Sequence, residues 1–197
     1  WASLSEDTWQ WLQTQTAAGV TRTVVTLGDA DYPSSLLDIP DPPLMLYAMG
    51  QTEALGQLKG EHALAMVGSR NPTPQGAANA REFARSLAAS GLSIVSGLAL
   101  GVDGAAHEGA LLGAAPGRLA TIAVVGTGLD RVYPKSHRDL AHQITQQGLI
   151  LSEYPLGTPP LAPNFPRRNR LISGLSQATL VVEAALQSGS LITAKQA

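Results

Sequence analysis

The sequence predicts an α/β protein built on a mostly parallel sheet with helices on both faces. Three observations carry this. From Ala63 onward, short apolar runs alternate with longer amphipathic segments at the rhythm of βαβ units. The short runs, such as "ALAMVGS" and "LATIAVVGTG", are apolar nearly throughout, as strands buried on both faces are. Glycine and serine recur where each run gives way to the next segment. With right-handed crossovers, these units form a three-layer, doubly wound, Rossmann-like sheet.

Residues 1–20 read as one amphipathic helix, with Leu4, Trp9 and Leu12 on the packed face and Ser3 or Ser5 as cap. Trp1 and Trp11 are expected to stay partly exposed. This segment is expected to be the remnant of a small helical domain, and residues 21–197 to form the main domain. "TRTVVTLG" and "LMLYAMG" read as strands on either side of a Pro-rich connection. "ALAMVGS" is followed by a helix over "TPQGAANAREFARSLAASG" that Gly91 closes. "LSIVSG" leads into the helix "LGVDGAAHEGALLG", and "LATIAVVGTG" into "SHRDLAHQITQQG", which stops at Gly148. "LILSEY", the helix "PRRNRLISGLS", the strand "ATLVVEA" and the helical start "SGSLITAKQA" complete the series. The opening on Trp1 and the interrupted last pattern are those expected of a piece of a longer chain.

Hydrophobic residues make up 44% of the 197, enough for a sizeable core, and charged residues 14%, well below the roughly 25% of an average domain. There is no cysteine, so disulfides and thiolate metal sites are excluded, which fits a reducing compartment. No run of ~18 apolar residues exists, so no membrane partner is expected. The net charge is −2. Bulk charge therefore does not point to a polyanion, and a basic patch has to be local.

Such a patch exists. "NFPRRNRLISGLS" places Arg167, Arg168 and Arg170 within four positions, with no acid from Tyr154 to Val182. Removing these three charges takes the net −2 to −5. The pattern puts them in the first turn of a helix, where cations oppose the helix dipole at about 0.3–1 kcal/mol each. Either a carboxylate, with Glu153 and Glu183 as candidates, or a bound polyanion should offset this.

In parallel sheets, ligands bind at the carboxyl ends of the strands. Those ends carry Gly68-Ser69-Arg70, Ser96-Gly97, Gly126-Thr127-Gly128, Ser152-Glu153 and Glu183, with Ser188-Gly189-Ser190 opening the next segment. Glycines let backbone N–H groups approach a ligand, and helix N-termini favour anions. Arg70 adds a bidentate phosphate donor, and Lys135 points to the same rim. Phe165 beside arginines on such a rim suits single-stranded nucleic acid, a base stacking on the ring while phosphates meet the cations. One arginine of the three is expected to be structural.

Other chemistries fit less well. "GSRNPTPQG" lacks the dinucleotide-binding glycine spacing, and no P-loop motif is present. Asp103 and His107 stand one helical turn apart and read as a brace for a helix start rather than as metal ligands. His62, His107, His137 and His142 have no zinc spacing. Neither Ser96 nor Ser152 lies in a nucleophile elbow. No cofactor or metal is expected.

"MVGSRNPTPQG", "SGLALGVDGAAHEGAL", "GTGLDRVYP", "LSEYPLGTPPLAPNFPRRNRLISGLS" and "VVEAALQSGSLITAKQA" together resemble the DNA-processing protein A family (DprA, also called Smf), from about Tyr32 onward. The resemblance implies a non-enzymatic, cytoplasmic, single-stranded DNA-binding mediator that protects incoming strands in natural transformation and helps load RecA. It also implies a homodimer and an extended Rossmann-like domain with a winged-helix-like domain often following. The family's pocket would fall on Gly68, Ser69, Arg70, Ser96, Gly97, Phe165, Asn169 and Ser188-Gly189-Ser190. A lysine frequent three residues before the Phe is replaced here by Ala162. The competing resemblance is to "lysine decarboxylase-like" phosphoribohydrolases that cleave nucleoside monophosphates. They carry P-G-G-x-G-T-x-x-E where this chain has "QSGSLITAKQ", without the acid.

Overall fold

The computed structural model describes residues 2–14, 16–58, 60 and 62–184. The chain runs α1 (Ala2–Gln13), β1 (Thr21–Thr26), β2 (Met45–Gly50), β3 (Ala63–Gly68), α2 (Pro74–Ala89), β4 (Ser93–Ser96), α3 (Val102–Gly113), β5 (Thr121–Val124), α4 (Arg138–Gln147), β6 (Gly148–Ser152), α5 (Asn164–Gly174) and β7 (Ala178–Val182). One seven-stranded sheet has the order β1-β2-β6-β5-β4-β3-β7. The five strands from β6 to β7 are parallel, and β2 runs antiparallel to both its neighbours. The strand order reverses at β3, between β4 and β7, which is where a doubly wound sheet opens a crevice at its carboxyl edge.

Side-chain alternation assigns the two faces. Ala65, Val67, Val95, Ile122, Val124, Leu149 and Leu151 point one way and are covered by α5, through Leu171 and Ile172, and by short 3-10 turns carrying Leu36 and Leu55. Met66, Ile94, Ala123 and Ile150 point the other way, under α2, α3 and α4. Both faces are dry, which is why the strands read as continuous apolar runs. The small residues of α2 and α3 let these helices approach closely. A Cβ on Gly109 would lie 2.1 Å from the Arg81 carbonyl oxygen.

Local signals explain the helix ends. The Thr73 hydroxyl caps α2 by accepting from the Gly76 N–H at 3.0 Å, Pro74 opens the helix, and Gly91 turns the chain out at φ +97°.

Two expectations are corrected. The first helix ends at Gln13 rather than near residue 20, and its packed aromatic is Trp11, not Trp9. Trp11 is 8% exposed and meets the Tyr47 ring edge-on at 6.0 Å, whereas Trp9 is 62% exposed. The reason is a partner the local pattern does not reveal: Arg22 on β1 lies over the Trp11 ring at 5.1 Å and donates to the Trp11 carbonyl at 2.7 Å. The side chains of Trp1 and Leu4 lie outside the described residues. The helix expected from Pro166 is also shifted: α5 begins at Asn164, so Arg167, Arg168 and Arg170 follow its opening residues instead of forming them. Pro166 is tolerated in that first turn because the N–H it lacks would have no helical acceptor.

Candidate functional site

At the carboxyl edge of β3, β4 and β5, a pocket with about 460 Å³ of empty space is walled by Arg70, Gly97, Gly126, Tyr133, Phe165 and Arg168, among others. The elements bring these together from four separate stretches. Arg70 follows β3, Gly97 follows β4, Gly126 follows β5, and Phe165 and Arg168 come from α5.

α5 is pinned over the strand ends by two side chains. The Asn164 amide donates to the Gly126 carbonyl at 3.0 Å. Arg168, 4% exposed, donates to the Gly97 carbonyl at 2.6 Å and to the Val124 carbonyl. Its Nε donates to the Asn169 side-chain oxygen at 3.0 Å. Asp103 lies 3.9 Å from its guanidinium. Burial lowers the Arg168 pKa against the opposing pull of Asp103, and burial raises the Asp103 pKa although Arg168 counters it.

The three clustered arginines therefore have three different environments. Arg168 is sealed into the fold. Arg170 forms a two-pronged pair with Glu153 at 2.6 and 2.7 Å, both side chains being largely buried. Arg167 is exposed and, among the described residues, its only ion pair is with exposed Asp41, at 3.3 Å, which Arg170 also approaches at 3.7 Å. Glu153 is thus the carboxylate partner. Glu183 instead accepts from the Thr73 N–H at 2.8 Å and the Thr73 hydroxyl at 2.6 Å, bracing the start of α2.

Arg70 is different. It is exposed, and among the described residues it has no carboxylate partner. Its guanidinium carbon lies 5.6 Å from the centre of the Phe165 ring, and that of Arg168 lies at 5.9 Å. The Tyr133 ring, 47% exposed, packs against Phe165 at 5.5 Å with a 39° tilt. The mouth of the pocket is an unpaired cation, a partly buried ring and an exposed ring. This can accept a flat heterocycle on Tyr133 and a phosphate on Arg70.

Several expected positions serve the scaffold. Ser96 is fully buried and donates to the Met66 carbonyl at 2.7 Å, tying β4 to β3. The Gly97 and Ala99 N–H groups donate to the Asp103 carboxylate at 3.1 and 3.3 Å, so Asp103 occupies the donors that an anion would otherwise use. The Ser69 N–H donates to the Glu183 carbonyl at 2.7 Å, and its hydroxyl accepts from the Asn71 N–H at 3.1 Å. Gly68 allows close packing: a Cβ there would lie 2.0 Å from the Val182 carbonyl oxygen. Lys135 lines a neighbouring groove, not this pocket. Ser188, Gly189 and Ser190 lie outside the described residues. Tyr133 was missed in the sequence, although an aromatic directly after a strand-end turn, in "GTGLDRVYP", was a usable signal.

Asp103 and His107 part company. Asp103 braces the loop before α3, while His107, fully buried, lies 2.7 Å through Nδ1 from the Thr121 hydroxyl. That hydroxyl donates to the Ile94 carbonyl at 2.6 Å, so Nδ1 is the donor to Thr121 and Nε2 carries a bare lone pair. Burial, then the nearby His137 and Arg168, lowers the His107 pKa to about 3. Among the described residues no cluster of three or more His, Asp or Glu is placed to hold a metal.

The family model for DNA recombination-mediator protein A matches residues 23–197. Protein Smf of Synechocystis sp. is 50% identical over 176 residues, which span 88% of this chain and 42% of that protein. DNA processing protein DprA of Streptococcus pneumoniae is 44% identical over 169 residues, 86% of this chain and 57% of its own length. The chain thus spans about half the length of these curated relatives. The solved structure of the S. pneumoniae protein superposes with a TM-score of 0.81 at 39% identity, over 98% of this chain and 62% of that one. DNA processing protein A from Helicobacter pylori, studied for its single-stranded DNA binding mode, superposes with a TM-score of 0.76 at 37% identity, over 88% of this chain and 75% of that one. A family match over nearly the whole sequence, together with the S. pneumoniae superposition over 98% of the chain, shows that it belongs to the DNA recombination-mediator protein A family.

Proposed function

We propose that this chain binds single-stranded DNA and acts as a recombination mediator without catalysing a reaction. The observation that carries this is the mouth of the pocket, where unpaired Arg70 stands over Phe165 and the exposed Tyr133 ring packs beside it. Arg70 meets a phosphate, and a base stacks on Tyr133 with Phe165 behind it. Phosphate contact and stacking carry little base identity, so binding is weakly sequence-dependent. Arg167, exposed on the same helix, is the next cation a strand would meet. Ser188-Gly189-Ser190 and Asn169 are proposed to complete the backbone contacts.

A RecA-type recombinase as partner, a homodimer, a role in natural transformation and a cytoplasmic setting belong to the same proposal. They rest on family membership. Among the described residues no helix is long and apolar enough to cross a membrane.

The competing reading, nucleoside monophosphate cleavage, needs a carboxyl group free to move a proton beside the ligand. Asp103, beside the pocket-wall residue Arg168, is committed to two backbone N–H groups. Gel-shift titration of single- against double-stranded oligonucleotides tests the proposal, with tighter binding of the single strand expected and a matching loss in Arg70→Ala. Equal affinity for both forms, or release of free base from AMP by the purified protein, overturns it.

A further inference from the structure

We propose that the groove between α1 and α4 is a second binding site, a track for the phosphodiester backbone of the strand whose base occupies the pocket. This rests on the single-stranded DNA reading. The groove holds about 1850 Å³ of open space and gathers Arg22, Arg131, Lys135, Arg138 and His142 against a single acid, Asp130.

That acid is already engaged. It accepts from the Gly157 N–H at 2.8 Å and pairs with Arg131 at 2.7 Å. Lys135 and Arg138 are exposed and, among the described residues, have no ion pair. Arg138 opens α4 and Lys135 lies in the 3-10 turn just before it, at the positive end of the helix dipole, where the acid Asp139 of the first turn is favoured and the two cations are not. Two residues of the lining also hold buried donors, Trp11 Nε1 and Arg22 Nε, that have no acceptor among the described residues. In a protein of net charge −2, this concentration of unanswered positive charge is local.

The groove adjoins the pocket. Tyr133 and Pro134 wall the pocket, while Arg131, Val132 and Lys135 wall the groove, so one short stretch of backbone divides the two. A strand leaving the pocket across Tyr133 enters the groove next to Lys135. Arg138 then meets a later phosphate.

Salt titrations of oligo-dT of about 4 and about 16 nucleotides, bracketing common single-strand site sizes, test this. The longer strand is expected to bind more tightly and with a steeper dependence of log K on log salt. Arg138→Ala and Lys135→Ala should each reduce that slope by about 0.7 for the longer strand, the share of one phosphate. Arg138→Ala should leave the short strand's affinity unchanged, and its melting temperature should not fall. Equal slopes for the two lengths in the wild type, or an unaltered long-strand slope in both variants, overturns the track. Arg70→Ala separates the two readings. If it left both affinities unchanged while Arg138→Ala still flattened the slope, the pocket would fail and the groove would stand.

Discussion

Four arginines near one edge of the sheet show how a shared residue type takes different roles. Arg167 and Asp41 are both exposed, and such pairs contribute about 0–1 kcal/mol. Arg167→Ala should therefore leave the melting temperature nearly unchanged. Arg170 and Glu153 are largely buried with two parallel bonds, and removing one partner strands the other charge, at about 3–5 kcal/mol. Arg170→Ala should lower the melting temperature by on the order of 10 °C while the folded fraction keeps its affinity for DNA. A drop in affinity with an unchanged melting temperature would place Arg170 at the ligand instead. Tyr133 is the complementary case. Its ring is nearly half exposed, so truncation opens no large cavity. Tyr133→Ala should weaken oligo-dT binding by about 1–3 kcal/mol, the value of one base stacked on an aromatic, at an unchanged melting temperature. Wild-type affinity in fluorescence titration would remove Tyr133 from the interface.

At the scale of elements, the glycines of the strand ends are explained mainly by packing. A Cβ on Gly68 meets the Val182 carbonyl oxygen of β7 at 2.0 Å and the Val102 side chain of α3 at 2.7 Å. Backbone on one side and a buried branched residue on the other leave no room to yield. Gly68→Ala should cost about 1–3 kcal/mol, read as a lower urea midpoint, by forcing β3 from β7. A midpoint equal to wild type would show that β3 and β7 can part at this position without cost. The same contacts mark the limit of what the sequence made legible. Strands, helices and the binding edge follow from periodicity and from Gly and Ser placement, both local signals. The partners of Arg168, the Gly97 and Val124 carbonyls, lie 71 and 44 residues away, and no spacing rule encodes them. Asp103 filling the backbone donors of the 97–99 loop is equally non-local, so a rim of free N–H groups was expected where a side chain already sits. In α1, Trp9 and Trp11 lie on different faces and carry equal hydrophobic weight. Only Arg22 and Tyr47 of the first two strands decide between them.

For the whole molecule, the buried polar layer under the pocket sets the response to acid. His107 ties α3 to β5 through Thr121 and indirectly to β4 through the Ile94 carbonyl, in the middle of the sheet. Its pKa is about 3 in the fold against 6.5 when exposed, so between these values the unfolded chain binds a proton that the fold refuses. Stability contributed by neutral His107 is therefore complete above pH 6.5 and is lost as pH falls toward 3, by up to about 1.4 kcal/mol per pH unit. Asp103 acts in the opposite sense. Its raised pKa means that the fold takes up a proton more readily than the unfolded chain, so acid relieves the cost of its burial. The two groups partly offset each other, and a variant is needed to separate them. His107→Gln keeps a donor toward Thr121 and does not titrate. Urea midpoints at about pH 7.5 and about pH 4.5 should fall further in the wild type than in His107→Gln, the variant starting lower and losing less. An equal fall in both proteins would mean that the acid response comes from surface carboxylates, and that the layer joining α3, β4 and β5 opens without protonating its histidine.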